Sequence, residues 1–372
     1  MSSSGFGWSQ GKFSRQPHVS VPEGTYEEEH GRQGFFGKAT HLYHRHPPTG
    51  WLRIEGELKP RAYFATRAEP LEAGLPEFLL ENQDVKIGIA KFSEAMKIFV
   101  RNSDGDEIRF VDQGEGILET DYGDIEYRVG DYLVIPRGTT FRFVAQSLNV
   151  HLVIESASEV QLPDKGILGR HAFFDPMVMR TPVLSPDERS NGPSRNNEFE
   201  MRIKRRGQWT KLFYAWNPLD AAGWKGDLVP WALNVEDMRP VVSAGVLLPP
   251  SAYTTFLGHQ FIVCSFLPRP AVQDPSAERV PFYHRNSDYD EILFHHLGKF
   301  SARSDIGAGR IVWHPQGIHH GPHPTSAGNA CKIKVEETAI MVDTYLPLQP
   351  TEAALRLEDP QYAMSWSADQ KR

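Results

Sequence analysis

The residues best able to do chemistry in this chain are its histidines. There are 15 of them. Many gather in two windows: HLYHRH, beginning at His41, and the stretch from His284 to His323, which also holds Glu291. Imidazole nitrogens beside a carboxylate form a donor set for divalent metals. His284, Glu291 and His320 stand out in the second window. Two imidazoles and one acid are the ligand set of a facial site on non-haem Fe(II), where three protein donors leave positions open for a substrate and dioxygen.

An internal repeat singles out these three. Residues 100–107 read VRNSDGDE and residues 284–291 read HRNSDYDE, identical at six of eight positions, and a glycine follows each glutamate at the same distance, Gly114 and Gly298. Downstream, Gly130, Pro136, Gly138 and Phe141 share their mutual spacing with Gly309, Pro315, Gly317 and His320. The gap from the glutamate to this second block differs by five residues between the copies, a change in loop length. Chemistry differs most where the first copy has Val100 and Phe141 and the second has His284 and His320. The first copy lacks the nitrogen donors, so metal chemistry is expected in the second alone.

The elements that must position these groups read as strands. Thirty-one glycines and 28 prolines punctuate short segments rich in Val, Ile, Phe and Tyr, such as EYRVGDYLVIP from Glu126 and TTFRFVAQSLNVHLVIES from Thr139. His284 and Glu291, separated by turn-forming residues, are expected on consecutive antiparallel strands, side by side at a barrel mouth, with His320 on a third. His319 competes with His320, but adjacent strand residues point to opposite faces. Phe141 and Phe143 alternate with Thr140 and Arg142, which marks position 141, and with it His320, as inward. His295 shares parity with Glu291, although a packed or capped role is the commoner fate of such a histidine. His44 and His46 precede Pro47 and Pro48, which suggests a surface arm or subunit contact.

The polar segment 185–197, SPDERSNGPSRNN, has the composition of a linker. The halves on either side give an all-β chain of two barrels, with PTEAALRLEDPQYAMSW, from Pro350, as a short C-terminal helix. The expected division is an N-terminal arm (1–60), a first barrel without metal ligands (61–165), a linker and insertion (166–240), a metal-binding barrel (241–345) and a tail (346–372).

The rest of the composition narrows the function. With 40 basic and 47 acidic side chains the net charge is −7, which disfavours a nucleic-acid partner. No stretch approaches the apolar length of a membrane helix and the start lacks a signal-peptide core, so no membrane partner is expected. Two cysteines, Cys264 and Cys331, are too few and too far apart for a disulfide framework, which points to the cytoplasm. No P-loop, dinucleotide fingerprint or nucleophile elbow is present.

The blocks E-x6-G and G-x5-P-x-G-x2-H, with a histidine ahead of the first, resemble the paired motifs of the cupin superfamily, and their duplication resembles a bicupin. This implies that both barrels are cupin jelly rolls. VPFYHRNSDYDEILF from Val280, GIHHGPHP from Gly317, YTTFLGHQFIVCSFLPRP from Tyr253 and HLYHRHPPTGWLRIEGELKPRAY near the N-terminus look like the homogentisate 1,2-dioxygenase family. That resemblance implies Fe(II) held by His284, Glu291 and His320, with His314 as a further pocket histidine and catalytic proton donor or hydroxyl anchor. It implies cleavage of an aromatic ring by dioxygen, homogentisate giving maleylacetoacetate, in a homo-oligomer built on trimers, a trimer or a hexamer. Substrate contacts are expected from Arg285, as carboxylate partner, and from Phe300, His314 and His319. Phe300 stands where many members carry a tyrosine, a difference that favours gentisate, another hydroquinone or a natural-product phenol as alternatives. A non-catalytic or isomerase-type cupin is the alternative outside dioxygenase chemistry.

Overall fold

A computed structural model describes residues 8–184, 198–279, 281–299, 306–323 and 334–367. Phe300, Cys331 and the polar segment 185–197 lie outside them. Regular structure among the described residues is mainly β, with twenty-four strands against one α-helix, Glu352–Leu357, and a few single-turn 3-10 helices. Their burial follows their sequence. GILET, the strand Gly116–Thr120, alternates buried and half-buried residues, as expected of a strand covered on one face. DEIRFVDQ, the strand Asp106–Gln113, is buried along nearly its whole length because strands hydrogen-bond to it on both edges. The helix starts where the Thr351 hydroxyl accepts a hydrogen bond from the Ala354 N–H, and it stops short of Pro360.

The strands form sheets of seven, six, six, three and two members, a layered all-β arrangement consistent with cupin-type domains. The repeated sequence blocks occupy repeated register positions. Val100 faces Phe141 across an antiparallel pair, and His284 faces His320 across an antiparallel bridge. Glu107 pairs with Ile135 and Glu155, while Glu291 pairs with His314 and Asp343. The glycines of the two E-x6-G blocks also share a physical reason. Gly114 and Gly298 have φ of +92° and +94°, and a Cβ on either would lie within 2.4 Å of a carbonyl oxygen, Leu148 O or Glu336 O.

Several strands cross the boundaries expected from the sequence. Arg61–Tyr63, placed with the first barrel, pairs with Arg310–His314 in a sheet of the second half. Phe199–Arg205, Gln208–Tyr214 and Trp231–Asn234, placed in the linker, extend sheets of the first half. The tail returns as well, pairing Gln349–Pro350 with Glu77–Glu81. Arm and tail therefore belong to the packed body: Tyr26–Gly31 runs parallel to Tyr283–Asn286, and Ala39–His44 continues that small sheet.

Candidate metal centre

His284 lies on the strand Tyr283–Asn286 and His320 on the short segment that follows the strand Arg310–His314. Each backbone N–H donates to the other residue's carbonyl at 2.9 Å, so the two rings emerge on one face, with centroids 3.9 Å apart. Glu291, on the strand Asp290–Leu297, belongs to a different sheet. The expectation that His284 and Glu291 sit on paired neighbouring strands is therefore corrected: a turn carries the chain from one sheet to another, and the acid meets the imidazoles across the gap. Glu291 Oε2 lies 3.5 Å from Nε2 of both His284 and His320. One donor atom from each of the three residues falls within 4.8 Å of the others.

Hydrogen bonding sets the histidine tautomers. His284 donates its Nδ1–H to Phe282 O at 3.1 Å and His320 donates its Nδ1–H to Ile318 O at 3.3 Å, which makes Nε2 the atom of each ring able to offer a lone pair to an ion. Both Nε2 atoms are buried and have no hydrogen-bond partner. A buried lone pair facing only a carboxylate is costly, and a cation between them removes the cost. The donor set therefore fits a metal ion. Gly321 makes the approach of these segments possible: its φ is +140°, and a Cβ there would lie 2.5 Å from Phe282 O, the acceptor that orients His284.

The electrostatics keep one acid charged. Burial pushes Glu291 up, but the imidazoles of His320, His284 and His314 outweigh it and hold the carboxyl well below the ordinary range. Asp343, its cross-strand neighbour, is driven well above that range by burial first and then by the charges of Glu291 and Asp290, which favours its neutral form.

His314 stands beside the triad. Its Nδ1–H donates to Glu291 Oε1 at 2.8 Å and its Nε2 accepts from the Tyr362 hydroxyl at 3.2 Å, while its ring stacks on His320 with centroids 4.5 Å apart. Phe282 and Phe35 pack against His284, and Trp366 packs edge-on against His314. Tyr362 and Trp366 come from the tail and Phe35 from the arm; the sequence reading did not name any of the three.

Two expected substrate contacts lie elsewhere. Arg285 and His319 alternate with His284 and His320 and so point to the opposite face, where both approach the Glu28 carboxylate. The placement of His319 behind the site agrees with its strand parity but does not support the substrate contact expected of it, and a contact between Arg285 and the substrate is likewise not supported. His44 reaches the same carboxylate at 2.7 Å, which gives the arm histidine a structural role. Glu28 is pushed down to about 2: burial opposes its charge, and His319, His44 and Arg285 more than offset that. His295 is fully buried.

An all-β body carrying a buried His/Glu/His cluster defines a cupin-type protein equipped to bind a metal. Residues 79–235 match the family model described as homogentisate 1,2-dioxygenase N-terminal. A putative dioxygenase of Saccharolobus solfataricus is 32% identical over 96% of this chain and 98% of its own length, and this chain belongs to the family of that protein. A homogentisate 1,2-dioxygenase of Sinorhizobium fredii is 24% identical over 73% of this chain, which spans 63% of that relative's length. Among solved structures, a cupin 2 conserved barrel domain protein from Leptotrichia buccalis is 11% identical over 80% of this chain and 100% of its own, with a TM-score of 0.36. No helix among the described residues is long and apolar enough to cross a membrane.

Proposed function

We propose that this chain is an Fe(II)-dependent ring-cleaving dioxygenase acting on a hydroquinone-type aromatic acid, with homogentisate the first candidate and maleylacetoacetate its product. The observation that carries the reading is the pair of buried, unpartnered Nε2 lone pairs converging on one charged carboxylate, the donor set of a facial iron site. The names of relatives in the family, dioxygenase and homogentisate 1,2-dioxygenase, support it. On this reading His284, Glu291 and His320 would hold the iron, and the chemistry it would supply is Lewis-acid orientation of ring and dioxygen and electron transfer between them.

The chain's own groups do the rest. Phe35, Phe282 and Trp366 wall the site with aromatic surface, which excludes water and suits a flat ring. His314 is the proton-handling residue. Its Nδ1–H is held by Glu291, so protons enter and leave at Nε2, where Tyr362 is the donor. Phe300 in place of a tyrosine favours a second reading with the same iron chemistry, in which gentisate or another phenol is the substrate.

The matched registers support a duplication in which the first barrel, around residues 61–165, lost its metal ligands and the second, around 241–345, kept them. The strands at 199–214 and 231–234 would then complete the first. We read the working form as a cytoplasmic homo-oligomer. The test is anaerobic Fe(II) reconstitution followed by oxygen uptake and product identification with homogentisate and gentisate. Ring-opened product with one oxygen consumed per substrate is expected. Uptake with neither substrate, or protein purified without oxygen that holds no iron at the His284, Glu291 and His320 site, would remove the proposal.

A further inference from the structure

A second group of imidazoles and acids is buried under the N-terminal arm. One donor atom from each of His18, Glu27 and His41 falls within 4.8 Å of the others. His18 comes from the irregular segment ahead of the first strand, Glu27 from Tyr26–Gly31 and His41 from Ala39–His44. His41 Nδ1 lies 3.0 Å from Glu27 Oε1, and His18 Nδ1 lies 3.8 Å from Glu27 Oε2. Two more carboxylates close the group: Glu29 Oε2 is 3.2 Å from His18 Nε2, and Glu278 Oε2 is 3.5 Å from His18 Nδ1. Phe282 separates this cluster from the first centre, its ring 4.4 Å from that of His18 and 4.9 Å from that of His284.

Two observations ask for a cation here. Three carboxylates surround two imidazoles, so the group stays net negative even with both rings protonated, and buried uncompensated charge is destabilising. His18 is only 7% exposed, yet its Nδ1 makes no hydrogen bond and faces the carboxylates of Glu27 and Glu278 at 3.8 and 3.5 Å. His18 also sits at φ +62°, a left-handed conformation uncommon for a non-glycine residue. That backbone is held by the His18 N–H donating to Glu27 Oε2 at 2.9 Å, and it turns the ring into the cluster.

We infer that His18, Glu27 and His41, with Glu29 or Glu278 as a fourth donor, form a second divalent transition-metal site, distinct from the iron centre. Nitrogen and oxygen donors in this ratio suit zinc, and a site closed by protein groups from several segments is structural rather than catalytic. Its ion clips the arm, the first two strands and the segment before Tyr283–Asn286 to one another. It thereby braces the strand that carries His284.

Zinc is the probe. Protein stripped with a chelator and equilibrated with Zn²⁺ is expected to hold two ions per chain, and His320→Phe, His41→Gln and Glu27→Gln one each, by elemental analysis. His30→Gln, at a neighbouring position that pairs with Ser287, is expected to keep two. Zinc should raise the melting temperature of His320→Phe and leave that of His320→Phe combined with His41→Gln unchanged. No ion in folded His320→Phe would overturn the inference, whereas one ion in both His320→Phe and the unaltered protein would count against the first centre alone. That measurement decides even where His41→Gln does not fold.

Discussion

His320 and Phe141 are the same position in two copies of one pattern, and their difference separates folding from metal binding at a single residue. Phe141 is fully buried in the core of the first half, so the backbone geometry accepts a phenyl ring. His320→Phe is therefore expected to lower metal affinity by more than about a hundredfold, while the metal-free melting temperature moves by no more than about 4 °C. Calorimetric titration and thermal melting measure the two effects. The Tyr362 hydroxyl contacts His314, and on the proposed reading Tyr362→Phe should lower kcat by about tenfold or more while leaving KM nearly unchanged. Glu28 acts behind the site, holding Arg285 and His319, the chain neighbours of both ligand histidines. Its folded pKa of about 2 lies below the ordinary 4.5, so its stabilisation is complete above pH 4.5 and is lost as pH falls toward 2. Melts across that window should show a loss in the unaltered protein that Glu28→Gln lacks, the variant being the less stable of the two at neutral pH.

Among the elements, the segment from His314 to Gly321 carries the densest set of requirements. Gly321 allows the chain to pass within contact of Phe282, whose carbonyl orients His284, so one backbone approach sets two ligands. Gly321→Ala is expected to destabilise the fold by about 1–3 kcal/mol and to weaken metal binding. Denaturant melts and a metal titration read the two. The two histidines of the candidate cluster were legible in the sequence because a repeat gave both an internal control, Val100 against His284 and Phe141 against His320, while Glu291 has the same residue, Glu107, as its counterpart. His319 behind the site followed from strand parity. The sheet membership of Glu291 did not, because a turn of the same length serves a hairpin or a crossing between sheets. Nor did the direction of Arg285, which its charge suggested and its parity contradicted. Tyr362 and Trp366 gave no signal, since the tail reaches the site only through tertiary packing and its short helix has no periodicity that marks either residue.

The whole molecule joins its metal centre from distant parts of the chain. The arm contributes Phe35 and Glu28, the second half the triad and His314, and the tail Tyr362 and Trp366; Trp51 of the arm donates to Ala363 O of the tail at 3.1 Å. An ion held by the triad bridges three segments of the second half, and the arm and tail residues packed around them are stabilised with it. Stripping the metal should lower the melting temperature in one cooperative transition, and restoring it at about a thousand times its dissociation constant should return roughly 4 kcal/mol. Two separate transitions on stripping would show that the halves fold independently of the ion. The all-β class was visible from turn spacing. The strands exchanged between halves, Arg61–Tyr63 above all, were not, because short strands of ordinary composition do not declare which sheet they join.

The contact between Glu28 and His319 spans 291 positions of sequence. A ribosome delivers Tyr26–Gly31 long before its partner strand, and closing so large a loop is a late, slow event in the life of the polypeptide. The newborn chain must therefore hold that hairpin in waiting, its acids and imidazoles open to stray ions, until the final stretch emerges. On the proposed reading, an ion can be held by all three groups only once His320 has emerged, late in synthesis.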